Sequence, residues 1–379
     1  MKFSVITFFF FLGLIFSCTP EEDDNNTYEK RRVLETYANI VLATYEDSYS
    51  TANTLRDKIG AFVTAPNEQS LADCKSAWLA ARLPYGQTEA YRFYDGPIDG
   101  PAGVEGLLNA WPLDEGYIDY VVGGDSGLVG KNTPITKQFL VDMNEKDGET
   151  NISTGYHAIE FLLWGQDLSA TGPGTRPATD YSTAANASRR GQYLIAVADL
   201  LLENLQTVRD QWKVGATQRN DFVQKANPDA SLAKLMRGMG ALAKGELAGQ
   251  RMRAALQTSN QEDEHSCFSD NTHTDIKMNY LGIKNLYLGR YKRVDGTEIT
   301  GYSLVSLVND ASNSKNIAVQ DALRATDLLM DAFPMPFDQA LIEPAGRTKI
   351  DDTIKALNNL SDKIVDAGLA LGIKVNTDI

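Results

Sequence analysis

Clustered basic charge is what this chain lacks. It carries 50 acidic residues against 36 Lys and Arg, a formal charge of −14, and its longest basic run is Lys30, Arg31 and Arg32. A protein that neutralises phosphates needs basic clusters, so nucleic acid is excluded as a partner. Histidine and cysteine are scarce too, with three of each in 379 residues. The position of each one therefore carries weight. Period-two alternation long enough for a sheet is missing, and segments such as "YIDYVVGG" at 117–124 sit among glycines.

Helical periodicity is plentiful. Apolar or small residues fall at Leu34, Tyr37, Val41, Tyr45, Ser48, Ala52, Leu55, Ile59 and Phe62, steps of three and four that place one stripe along one long helix. The rhythm returns at Leu194, Val197, Leu201, Leu205, Val208 and Trp212, and again from Ile350 through Ile354, Leu357, Leu360, Ile364 and Ala367 to Leu371. The expected fold class is all-α. Residues 95–135, 169–183 and 257–275 read as irregular, and loops that long are more often functional than idle. A domain boundary is expected within 215–231, giving helical bundle domains at 30–220 and 221–379.

The first eighteen residues, "MKFSVITFFFFLGLIFSC", have a Lys, an apolar stretch from Phe3 to Phe16 and a small residue before Cys18. That is the layout of a secretory signal, and it is short for a membrane span. "LIFSC" resembles a bacterial lipobox, in which Cys18 is lipidated and becomes the mature N-terminus; the alternative is an ordinary cleaved signal. Residues 19–29 lack large aliphatic side chains and read as a solvated acidic tether. The four acids Glu21 to Asp24 resemble a surface-export signal of some Gram-negative lipoproteins. The expected location is the bacterial cell envelope, on the outer membrane, with a lipid anchor in the bilayer. Cys74 and Cys267 then remain, either paired or buried and free.

Within 155–167, "GYHAIEFLLWGQD", a histidine and a glutamate interrupt an apolar helical run. Residues i and i+3 share a helix face, so His157 and Glu160 point at one spot, and an imidazole nitrogen with a carboxylate supplies half a metal sphere. Gly155 lets the backbone enter the helix at an unusual angle. The alternative is a buried His hydrogen-bonded to Glu160 for structure alone. A second helix carries the stripe Leu71, Cys74, Trp78, Ala81 and Tyr85, with Arg82, Glu89 and Arg92 near its end and Pro84 expected to kink it. Glu89 is a candidate third ligand, or a partner of Arg82 or Arg92. The polar run "EHSCFSDNTHTD" gathers His265, Cys267, Asp270, His273 and Asp275 as a candidate second metal site or a closing loop, against a plain hydrogen-bonded loop.

A faint internal echo pairs "HAIEFLLWG" at 157–165 with "LGIKNLYLG" at 281–289, and "LPYGQ" at 83–87 with "MPFDQ" at 335–339. The order of the two elements is reversed between halves, so the choice lies between circular permutation and coincidence.

Together with "AWLAARLPYGQTEAYRF", "GPGTRP", "GELAGQRM" and "EHSCFSDNTHTDI", the 155–167 stretch resembles the imelysin-like family, specifically its iron-regulated lipoprotein branch. The resemblance runs from about residue 30 to the end, and G-x-H-x-x-E is intact as Gly155, His157 and Glu160. It implies two related up-and-down four-helix-bundle-like domains with the motif near their junction, and it favours circular permutation over coincidence as the origin of the echo. It also implies a role in iron uptake, with a metal ion or iron-bearing small ligand bound and components of iron transport as partners. The family's metallopeptidase assignment is the alternative function. A zinc peptidase needs about three protein ligands and a general base, and the chain has no H-E-x-x-H. Distant carboxylates such as Glu89 or Asp99 would have to complete the sphere, an oxygen-rich set that suits iron at least as well as zinc.

Overall fold

The computed structural model describes residues 25–379. The expected signal segment 1–18, with Cys18, and residues 19–24 of the tether lie outside the described residues. Residues 25–29 belong to the first helix, α1 (Asn25–Thr64), whose forty residues span about 60 Å. All nine stripe positions from Leu34 to Phe62 are buried. The Asn67 side chain then accepts from the Ser70 backbone N–H at 3.0 Å, while the Ser70 hydroxyl accepts from the Asn67 N–H at 3.3 Å. This reciprocal cap starts α2 (Glu68–Thr88), which continues through Pro84 and tightens into a 3₁₀ turn at Glu89–Tyr91.

The remaining long helices are α3 (Gly155–Trp164), α4 (Ala187–Gln211), α5 (Pro228–Ala241), α6 (Thr272–Leu288), α7 (Asn313–Asp331) and α8 (Pro344–Ala370). A π-helical stretch, Leu242–Arg253, prolongs α5. The fold is all-α. The two strands among the described residues, β1 (Arg290–Lys292) and β2 (Glu298–Thr300), form one short hairpin clasped to α1 by Asp47, which accepts from Tyr291 Oη at 2.8 Å and Arg293 Nε at 3.0 Å. No helix among the described residues is long and apolar enough to cross a membrane.

Helix α1 lies along α2 and α4 and also meets α5, while α8 packs on α7 and on the π-helical stretch. One hydrophobic cluster runs from Val33 to Val375. Within the polar stretch 215–231, a helical turn at Thr217–Asn220 leads directly into a π turn at Asp221–Lys225. The echo is partly structural: α3 and α6 both end on a glycine with positive φ, Gly165 at 72° and Gly289 at 63°. Its other half diverges, since Pro84 lies inside α2 and Pro336 just precedes the helix Phe337–Ile342.

What positions the site is the crossing of α2 and α6. A Cβ on Gly86 would sit 2.8 Å from Met278 Cβ, and one on Gly282 only 2.3 Å from the Gln87 carbonyl oxygen. Glycine at both places lets the backbones touch, which brings Arg82 of α2 onto Asp275 of α6.

Candidate functional site

Helix α3 is buried at every residue, and its entry depends on Gly155. There φ is +82°, and a Cβ would lie 2.6 Å from the Leu108 carbonyl oxygen. One turn on, His157 Nδ1 stands 2.8 Å from Glu160 Oε2. The other carboxylate oxygen of Glu160 accepts from the Ser269 backbone N–H at 3.0 Å and its hydroxyl at 2.6 Å. His157 Nε2 is buried and has no hydrogen-bond partner. Beside it, the His265 ring stands edge-on, its centroid 4.6 Å away.

A chain of compensated charge leads away from the two imidazoles. His265 Nδ1 lies 3.1 Å from Asp275 Oδ2, and Asp275 also accepts the Arg82 fork at 3.1 and 2.8 Å, the Ser266 hydroxyl at 2.5 Å and the Asn271 amide at 3.2 Å. Arg82 Nη1 donates to Asn109 Oδ1 at 2.6 Å, and the Asn109 amide leans on Glu89 Oε1 at 3.4 Å. Glu89 Oε2 accepts from Arg92 at 2.8 Å and Arg251 at 2.7 Å. A cavity of about 350 Å³ opens onto this array, walled by Arg92, Glu105, Trp111, Glu246, Arg251 and His265.

Burial and neighbouring charge set the ionisation. Burial, then the Arg82 charge, holds His157 well below its ordinary pKa; burial, then Arg251, pushes His265 down to about 3. Both rings are neutral near pH 7. Burial raises Glu160 to about 8 despite the Ser269 donors. Burial works against ionising Asp275 and Glu89 as well, yet Arg82 holds Asp275 far below the carboxylate range, and Arg92 with Arg251 brings Glu89 to about 2. An ionised Asp275 only accepts, so His265 Nδ1 is the donor and its Nε2 keeps the lone pair.

The structure brings His157 and Glu160 together on Gly155 as the spacing requires. It does not bring Glu89 to them: that carboxylate is held by two guanidiniums. Asp99 is elsewhere, capping its own turn by accepting from the Phe93 and Gly96 N–H groups. The run at 265–273 is split rather than gathered. His265 joins His157; the buried Cys267 stays a thiol, its pKa raised by burial; Asp270 faces Asp338 and Asp167; and His273 is half-buried near Lys277. Cys74 and Cys267 are both free. Among the described residues, no three His, Cys, Asp or Glu side chains are arranged to hold a metal ion. Ser269, Asn109, Trp111 and Arg251 escaped the sequence reading. The polar density of 264–275 and the run "GELAGQRM" were the available signals for Ser269 and Arg251; Asn109 and Trp111 had none.

Known proteins place the chain independently. Over 334 residues it is 23% identical to iron-regulated protein A of Synechococcus elongatus, covering 86% of this chain and 82% of that protein. In fold it matches a crystal structure described as a putative iron-regulated protein A precursor from Parabacteroides distasonis, with a TM-score of 0.70 at 20% identity, over 91% of this chain and 95% of that one. An imelysin-like protein from Psychrobacter arcticum superposes with a TM-score of 0.68 at 14% identity, over 92% and 98% of the two chains. The Imelysin family model (Peptidase_M75) matches residues 41–364, and the chain belongs to that family.

Proposed function

We propose that this protein captures iron in the cavity walled by His265, with the His157 ring packed behind it, as a small iron-bearing ligand that keeps part of its own coordination shell. The observation that carries the reading is the buried, unpartnered Nε2 of His157 beside a second neutral imidazole, His265, which lines the cavity. Neutral imidazole is the form that binds a metal, and burial keeps both rings neutral. Asp275 holds the His265 ring through Nδ1, the orienting role carboxylates take behind metal-bound histidines, and Glu160 takes the same role for His157 once it gives up its proton on binding. The donor set fits a cargo that accepts one or two imidazoles better than a bare ion enclosed by protein. The name of the cyanobacterial relative, iron-regulated protein A, points the same way.

Metal-dependent peptide hydrolysis is the weaker reading. It needs a carboxylate free to act on water, and both candidates are engaged, Glu160 by His157 and Ser269 and Glu89 by Arg92 and Arg251. Export and lipid attachment at Cys18 complete the proposal, placing the folded part on the outer membrane beside components of iron transport. The test is calorimetric titration of the intact protein with ferrous and ferric iron and with ferric chelates. His157→Ala and His265→Ala should each weaken binding at least about tenfold while helical content stays unchanged, the loss expected when one of few ligands goes. Equal binding by both variants would remove the reading, and peptide cleavage abolished by Glu160→Gln would replace it with the enzymatic one.

A further inference from the structure

The C-terminal end of α3, about 10 Å along the helix from His157, meets two cations that the first site does not use. Lys75 of α2 is half-buried, its ammonium 5.4 Å from the centroid of the Trp164 ring. Among the described residues it makes no ion pair and no hydrogen bond. Arg176 is buried to 5% exposure and is anchored by its backbone N–H, which donates to the Trp164 carbonyl at 2.8 Å. Both of its ion pairs, to Asp119 at 2.8 Å and Asp180 at 3.0 Å, run through Nη1, and its Nε is buried without a partner. Asp119 also accepts from Arg190 at 2.5 Å, so two acids serve two guanidiniums and neither is left for Lys75. The acid that acts on Lys75 is Glu68, which is exposed and accepts from the Ala178 N–H at 2.8 Å without pairing with the ammonium; Arg176 repels it.

A groove of about 600 Å³ runs over both cations, between Trp164, Pro173 and Pro177. Across Arg176 and Pro177 it adjoins a smaller hollow of about 150 Å³, where Tyr120, Val122 and Leu168 are exposed. No residue lines both this groove and the cavity of His265. We propose that the groove binds a small organic monoanion, its carboxylate on Lys75 and Arg176 and its apolar body against the prolines and the exposed side chains beyond. A half-buried ammonium without a counter-charge is costly, and a carboxylate supplies that charge together with an acceptor for the spare Arg176 N–H. The local surplus is one positive charge, so a single carboxylate balances it, whereas a doubly charged phosphate would bring excess negative charge beside Asp119, Asp180 and Glu68. Grouped apolar side chains beside the groove give the ligand's body something to cover. Pro173 and Pro177 fix the backbone of one wall, which lowers the cost of ordering it around a ligand.

The experiment is an NMR titration of the intact protein with hexanoate, with hexanamide as its uncharged counterpart and inorganic phosphate as an anion without an apolar body. Hexanoate should bind, and hexanamide and phosphate should each be weaker by about tenfold or more. Lys75→Met keeps an apolar stem against Trp164 and breaks no ion pair, so it should fold. It should lose hexanoate affinity by about tenfold, whereas Lys75→Arg, which restores the charge, should stay within about threefold of the wild type. Absence of hexanoate binding at millimolar concentration would overturn the proposal. So would undiminished binding by Lys75→Met, which would put the anion elsewhere, or phosphate or hexanamide binding as tightly as hexanoate.

Discussion

Two buried clusters of charge share the loop from 261 to 271 and follow opposite rules. Around Asp275 and Glu89 every carboxylate faces a guanidinium: Arg82 for the first, Arg92 and Arg251 for the second. Around Glu264 the carboxylates face one another. Both are buried, the first more completely. A charge compensated from within is fixed in place at any pH near neutrality, and here it serves to aim two histidine rings. A charge left uncompensated makes the local structure answer to the proton.

Breaking the compensated cluster should give the largest effect. Arg82→Met leaves Asp275 ionised, buried and without its fork, and should destabilise the protein by about 3–5 kcal/mol in urea unfolding. Glu264→Gln replaces a buried carboxyl that is already protonated near neutral pH, and should cost little. If the two variants lose similar stability, the contrast between the clusters is wrong. Next in size is Gly155→Ala. With φ at +82° and the Leu108 carbonyl 2.6 Å from the new Cβ, it should cost about 2 kcal/mol or more. Because the strain is at the entry of α3, iron affinity should fall along with stability, and calorimetry on the folded variant measures that.

The helical stripes were legible because period 3.6 is a local property, and every position of the α1 stripe is buried. The same locality exposed Gly155, His157 and Glu160, which lie within a turn and a half of one another. Spacing along one helix says nothing about what crosses it. Glu89 looked like a ligand on its own helix, yet its partner Arg251 is 162 residues away. Arg82 and Asp275 meet across 193 residues only because Gly86 and Gly282 let two backbones touch. Asp99 failed for the opposite reason: its bonds are so local that they serve its own turn. His265 and Asp270 were grouped by sequence nearness, but they belong to different clusters.

The pH dependence of stability sharpens the comparison. Asp270, Glu160 and Glu264 keep their protons in the folded state up to about 7, 8 and 9, while in the unfolded chain they ionise near ~4. Raised carboxyl pKa values favour the folded state fully below ~4, and that contribution is lost as pH climbs through 7 to 9. Glu89 and Asp275 run the other way. Their lowered values stabilise the fold above the ordinary carboxylate range, and that contribution is lost as pH falls through about 2 for Glu89 and lower for Asp275. Urea unfolding should therefore show stability greatest on the acid side of neutrality and declining from about pH 5 to pH 9. Glu264→Gln should flatten that decline, because it removes an uncompensated ionisation. Arg82→Met should leave the alkaline limb in place while lowering the whole profile. A profile flat from pH 5 to 9 would mean that Glu264 and its neighbours already have a counter-charge, and the two clusters would then be built alike.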